Sequence, residues 1–335
     1  MRRKNFVPVL LTSLMVLTAC GAPAKVVTVG EQLPKEEKEV VSLPNPEMDT
    51  ALSDSSVVVP SQTDRDNSPC VLETSHPGTL TDGNEYAVVD YSNATEGYIM
   101  VDYLGTSPKV KLQITGPNQV TYTYDITNGY AAFPLVAGDG LYDISVCENI
   151  EGTKYSLSFR TTLEFTGISE FGPFLYPNQY VYFDKDCKTI TKGANLAAYC
   201  NSDLEVVTNV YNYITGNITY DYEKADTVKS GYISNVDDIL ESGTGICLDY
   251  SAVMTSMLRS QRIPTRLEVG YVGKDMVYHA WISVYIEDVG WLNNIIQFNG
   301  TEWELVDPTF GASTSEKTLK NYIGDGTNYS VKYVY

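Results

Sequence analysis

Between Asp66 and Phe165, hydrophobic and polar residues alternate in short runs. Tyr98–Tyr103, Val110–Ile114, Tyr122–Ile126, Tyr142–Val146 and Tyr155–Phe159 read as strands, four of them near period two, the spacing that buries one face of a sheet and wets the other. Gly116-Pro117-Asn118, Asn128-Gly129, Gly138-Asp139-Gly140 and Glu151-Gly152 fall between them as turns. Short strands punctuated in this way predict an antiparallel β-sandwich. Its tyrosines are expected as cross-strand pairs, carbohydrate stacking being the other use of such rings.

After the connector Phe171–Pro177 the period changes. Lys188 to Tyr199 reads as a helix. Ser202-Asp203-Leu204-Glu205 is a capping box, followed by Val206, Val207, Val210, Tyr211, Tyr213 and Ile214 at helical spacing, with Gly216 as the expected stop. A further helix should begin near Cys247, bury a stripe of Ala252, Val253, Met257 and Leu258, and close at Ile263-Pro264. Strand-like runs follow at Arg266–Val272, His279–Ile286, Ile295–Phe298 and Trp303–Val306. Helices first and antiparallel strands afterwards give an α+β order. By contrast Gly21–Ser68 is polar, charged and aperiodic, the composition of a tether. The expected layout is a leader at 1–19, a tether at 20–66, the sandwich at 67–168 and the α+β domain at 169–335.

Composition refines this layout. With 335 residues, 43% of them hydrophobic and 19% charged, the chain can bury a large core in each folded part. Met1-Arg2-Arg3-Lys4 is basic, and the apolar run Phe6–Thr18, interrupted by Pro8, is too short to span a bilayer comfortably, so the segment reads as a cleavable export signal. Its end, Leu17-Thr18-Ala19-Cys20-Gly21, resembles the lipobox of bacterial lipoproteins, which implies that Cys20 takes a diacylglycerol and becomes the first mature residue. The net charge is -19, and loss of the three cations Arg2, Arg3 and Lys4 with the signal makes it -22. Nucleic acid and anionic headgroups are poor partners for that surface, so the expected membrane contact is through the lipid anchor only, on the outer face of the cell. Of the remaining cysteines, Cys187 and Cys200 bracket a helix and stand roughly 20 Å apart at about 1.5 Å per residue, too far for a bridge. Cys70 and Cys147 are left open between a disulfide and free thiols.

Three segments carry chemistry. Two glycines in Gly243-Thr244-Gly245-Ile246-Cys247 permit a sharp turn into a helix that begins at the cysteine. A thiol there gains from the helix macrodipole, and a paired imidazolium would add to that gain, both favouring thiolate. Read alone, such a cysteine is a small buried hydrophobe. The chain has two histidines, His76 at the start of the sandwich and His279 in the α+β part, which makes His279 the candidate base. On a strand His279 and Trp281 share a side, so the indole can wall the imidazole from water. Asp307, fixed by Pro308 at the end of a strand, suits an orienting carboxylate, and it also fits a plain turn.

Gly245–Tyr250, Leu258–Arg266 with Gly270-Tyr271, His279-Ala280-Trp281 and Val306–Thr309 resemble the bacterial transglutaminase-like superfamily over roughly Asp203 to Thr309. The resemblance implies a papain-like α+β fold in which Cys247 is nucleophile, His279 general base and acid, and Asp307 the orienting group of a Cys-His-Asp triad. Arg262 stands where the family usually has glycine, which should alter only the helix exit. The backbone amide of Cys247 is one expected oxyanion donor and Tyr220 a candidate second, although most tyrosines in such a run are packing residues. No cofactor is expected: Asp237-Asp238 and Glu302 with Glu304 lack a calcium-loop pattern and read as solvated surface, and there is no phosphate-binding loop. The expected partner is a protein or peptide substrate, with a cell-wall or protein ligand for the sandwich as a further role. The competing class is a catalytically inactive binding or adhesion module of the cell envelope.

Overall fold

The computed structural model describes residues 65–272, 276–293, 296–298, 303–305 and 329–335. Two antiparallel four-stranded sheets form the first half. One holds β1 (Thr81–Gly83), β2 (Ala87–Asp90), β3 (Tyr98–Tyr103) and β6 (Ala131–Pro134) in spatial order β1-β2-β3-β6. The other holds β4 (Val110–Thr115), β5 (Thr121–Ile126), β7 (Gly140–Glu151) and β8 (Lys154–Phe165) in order β5-β4-β7-β8. The alternation in the sequence is the alternation in the fold: along β5, Tyr122, Tyr124 and Ile126 are buried while Thr121, Thr123 and Asp125 face water. Val89, Val101 and Tyr103 of one sheet and Leu112, Ile144 and Val146 of the other belong to the same core. The buried tyrosines are packing residues, as Tyr124 shows with its ring centroid 4.8 Å from that of Phe133. β7 and β8 are each 12 residues long, more than twice the alternating runs that announce them.

The second half comprises α1 (Lys188–Ala197), α2 (Asp203–Asn217), β9 (Thr219–Tyr220), α3 (Tyr222–Thr227), α4 (Val236–Ser242), β10 (Thr244–Gly245) and α5 (Cys247–Arg259). Strands β11 (Thr265–Val272), β12 (Val277–Ile286), β13 (Gly290–Leu292), β14 (Ile296–Phe298), β15 (Trp303–Leu305) and β16 (Tyr329–Val334) follow. The main sheet has the order β13-β12-β11-β16, so the last strand of the chain closes on β11. This is the expected α+β architecture. Helix α5 lies at its centre, packed by α1, α2 and α4 and by β11 and β12. Every residue from Asp249 to Arg259 is buried, so α5 is covered all round rather than along one stripe.

Local signals explain most of the helix ends. Ser202 Oγ accepts from the Glu205 amide at 3.2 Å, while the Glu205 carboxylate reaches back to the amide of Asn201 at 2.7 Å. Gly216 does not stop α2, which runs to Asn217 and is ended by the extended Ile218 leading into β9. Asp237 is not simply solvated: its carboxylate accepts from the amides of Lys188 and Thr189, each at 2.9 Å, and caps α1 from another helix. At the helix exit Arg262 takes the left-handed conformation (φ +64°) that glycine would adopt without strain.

The two halves touch along aromatic surfaces. Tyr122 packs its ring against Tyr333 and Tyr335, with centroids 5.5 and 5.8 Å away, and Tyr124 lies 6.2 Å from Tyr335. The segment entering the sandwich is tied to the far end of α5: Arg65 donates to the Gln261 carbonyl at 2.6 Å and pairs with Asp203 at 2.7 Å, and the Cys70 amide donates to the Ser260 carbonyl at 2.7 Å. Cys70, Cys147, Cys187, Cys200 and Cys247 are all free thiols.

Candidate active site

The turn into α5 is built from four short pieces of chain. Asn235 caps α4 by accepting from the amides of Asp237 and Asp238, and Gly243, left-handed at φ +62°, ends that helix within a few residues. Thr244 and Gly245 then pair in parallel with Thr219 and Tyr220, which places Tyr220 beside the start of α5. Gly245 has to be glycine, since a Cβ there would stand 2.8 Å from the Asp249 Cβ. Ile246 is the extended N-cap and Cys247 the first helical residue. The expected position of the thiol is therefore the observed one.

Ile246 has no side chain with which to cap the helix. Asp249 supplies the other half of a capping box: its carboxylate accepts from the Ile246 amide at 2.9 Å, from Lys224 Nζ at 2.7 Å and from the Tyr232 hydroxyl at 2.7 Å. Asp249 is 0% exposed, so each of these bonds replaces a water it has lost. Burial works against the Lys224 charge, but its hydrogen bonds to Asp249 and Tyr232 outweigh that and raise its pKa.

Around the sulfur the donors are mostly main chain. The amides of Ala280, Leu248 and Cys247 itself direct hydrogen bonds at it and favour thiolate, burial opposes them more strongly, and the Asp249 charge adds to burial, so the thiol pKa is pushed up. Tyr220 meets both the amide and the sulfur of Cys247, and its own pKa is raised, first by burial. The bond from Ala280 sets the sulfur beside the residue that follows His279. β13 pairs only with Val284–Ile286 of β12, so among the described residues that stretch of the β12 edge carries no strand of its own sheet.

His279 sits on β12 opposite Gly270 of β11, where a Cβ would stand 2.1 Å from the Ser330 carbonyl oxygen. Glycine at that point lets β16 approach. The imidazole is 9% exposed, and burial pushes its pKa down to about 4. Trp281 shares its side with the ring planes 20° apart and the centroids 6.5 Å apart, as the strand period predicts. The Glu268 carboxylate accepts from the Trp281 indole N–H at 2.6 Å and from the Ser283 hydroxyl at 3.0 Å, while burial raises the Glu268 pKa. Both shifts run toward a thiol and a neutral imidazole, opposite to the direction in which a helix start and a paired imidazolium push.

Cys247, Tyr220 and the His279-Ala280 segment come together; Asp307 and Cys20 lie outside the described residues. Sequence reasoning missed Lys224, Tyr232, Asp249 and Glu268. Asp249 had a local signal, an acidic residue three positions after the N-cap, which is half of a capping box. The others act across turns and strands and left none. Among the described residues no group of histidine, cysteine, aspartate or glutamate side chains could hold a metal ion.

Residues 191–294 match the family model of the transglutaminase-like superfamily, a stretch that contains Cys247 and His279. This stretch is a transglutaminase-like domain. A UPF0252 protein of Methanocaldococcus jannaschii is 27% identical over 92 residues, 24% of this chain, and the chain spans about a quarter (26%) of that relative's length. Among solved structures, a candidate cysteine protease from Cytophaga hutchinsonii is similar at 16% identity and a TM-score of 0.32, with 64% of this chain and 67% of that one covered. The transglutaminase of red sea bream is similar at 13% identity and a TM-score of 0.24, over 63% of this chain and 48% of that one. The transglutaminase-like domain supplies the helix, the turn and the sheet edge described above, and the sandwich precedes it in the chain.

Proposed function

We propose that the chain is a cell-surface lipoprotein whose transglutaminase-like domain performs thiol-dependent acyl transfer on peptide or glutamine amides. The observation that carries the reading is the sulfur of Cys247, at the first position of a buried helix and bonded by the amide next to His279. A neutral imidazole is the form that accepts a proton. His279 takes the Cys247 proton as the sulfur attacks the carbonyl carbon, and the carbonyl electron pair moves to oxygen. The Cys247 amide and the Tyr220 hydroxyl, which bond each other at rest, turn to that oxyanion. Collapse restores the carbonyl, breaks the C–N bond and leaves a thioester, while His279 gives its proton to the departing amine or ammonia. Water or an amine then attacks the thioester, and its proton returns through His279 to the sulfur. Asp307 orients the imidazole in this scheme.

The test compares the mature protein with Cys247→Ala on a peptide library, with and without a labelled primary amine, by mass spectrometry. Cleavage, ammonia release or amine incorporation by wild type alone is the expected result. Equal behaviour of the two proteins in all three channels would remove the enzyme reading and leave the binding module. The anchor is tested separately: an alkynyl fatty acid fed to the producing cells should label the full chain, and Cys20→Ser should abolish the label.

A further inference from the structure

We propose that Lys224 is the built-in counter-ion of the nucleophile turn, cancelling the Asp249 charge so that a carboxylate can brace that turn without repelling the Cys247 thiolate. The proposal rests on the reading of Cys247 as nucleophile and deepens it. The turn has a structural problem. Its N-cap is an isoleucine, so the first amides of α5 receive nothing from the N-cap side chain. A carboxylate at the third helical position braces the turn instead by bonding the amide of the N-cap Ile246 itself, and a negative charge there also suits the helix dipole. The same carboxylate lies two residues from the sulfur, is fully buried, and disfavours a second negative charge nearby.

Lys224 removes the conflict. Its ammonium lies 2.7 Å from Asp249 Oδ2, the same oxygen that takes the Ile246 amide, and 4.5 Å from the Tyr232 ring centroid, while the Tyr232 hydroxyl bonds Oδ1. The lysine is itself held to the nucleophile turn: Asp221 accepts from the Lys224 amide at 2.8 Å and donates its own amide to the Gly245 carbonyl at 2.9 Å. Helix α3 is therefore attached to the turn at both its cap and its lysine. A pair fixed only for fold stability could sit anywhere in the core; this one joins the amide immediately before the nucleophile. Among the described residues, Tyr220 on β9 and Tyr278 on β12 also act electrostatically on Cys247, and His279 lies next along β12 to Ala280, whose amide bonds the sulfur. Burial keeps both tyrosines protonated at neutral pH and His279 uncharged, so among these described groups Lys224 is the cation that balances Asp249.

The experiment measures iodoacetamide alkylation of Cys247 against pH in the full mature chain, which reads the thiol without any substrate. The four other described cysteines are changed to serine in the parent and in every variant. Lys224→Met should raise the apparent thiol pKa by about one unit. Asp249→Asn, which keeps an acceptor for the Ile246 amide, should lower it by a similar amount. The double variant should return to within a few tenths of the parent, and Lys224→Arg should stay close to it. Circular dichroism identifies any variant that has lost its fold; if Lys224→Met is one, Asp249→Asn alone decides by the direction of its shift. Coincident pKa values in the parent and the folded variants would overturn the proposal, as would an upward shift in Asp249→Asn. Because alkylation needs no substrate, a parent that modifies no peptide would fail the acyl-transfer reading and leave this result standing.

Discussion

Burial holds His279 near pKa 4 against an ordinary value of about 6.5, so the native state keeps it neutral where the unfolded chain would bind a proton. The sign follows: the unfolded chain carries more protons between those values, and stability falls as the pH is lowered from about 6.5 through about 4. Chemical denaturation across that window should show this slope, and His279→Gln should flatten it. For the proposed acyl transfer the same reasoning puts the acid limb of kcat/KM near pH 4 to 5; a limb at 6.5 would mean that the imidazole is solvated during turnover. Trp281 is fully buried and its N–H serves a buried carboxylate, so Trp281→Phe should cost about 1–3 kcal/mol through the donor lost to Glu268. The places of Cys247 at a helix start and His279 on a strand were legible because their neighbours punctuate them. The shifts in their proton affinities were not, since burial is a property of what the rest of the chain lays over them.

At the scale of elements, the start and the exit of α5 make opposite demands on the backbone. The start requires a missing side chain: Gly245→Ala sets a methyl 2.8 Å from the Asp249 Cβ, and should destabilise by about 1–3 kcal/mol and shift Cys247 alkylation with it. The exit tolerates a side chain at a cost. Arg262 is left-handed, which is unfavourable by about 1–2 kcal/mol for a residue with a Cβ, while its exposed side chain pairs with Asp66 at 3.0 Å and donates to the Ser68 carbonyl at 2.9 Å. Arg262→Gly should therefore hold stability within about 1 kcal/mol of the parent, whereas Arg262→Val should lower it by about 1–2 kcal/mol, both read by urea denaturation. Periodicity found α1, α2, α5 and the longer strands because each carries its own pattern. It did not find α3 or α4, which are 6 and 7 residues long, too short for a repeat to declare itself.

Across the whole molecule, the aromatic contact of Tyr122 and Tyr124 with Tyr333 and Tyr335 and the clasp of Arg65 and Cys70 on the end of α5 join the sandwich to the transglutaminase-like domain at two places. Calorimetry should then show one cooperative transition for both halves. Tyr335→Ala removes a side chain that is 5% exposed and shared by both, and should split the transition or broaden it. The sequence by itself determined the α+β order, the sandwich before it, and the segments bearing Cys247 and His279, because caps, turns and hydrophobic periods are written within a few residues of where they act. Tertiary structure alone decided that Tyr220 stands on the Cys247 amide, that Lys224 neutralises Asp249 and that β16 closes on β11. Each of those joins residues whose separation along the chain leaves no local pattern, and each is fixed only when the core that excludes water from them has formed.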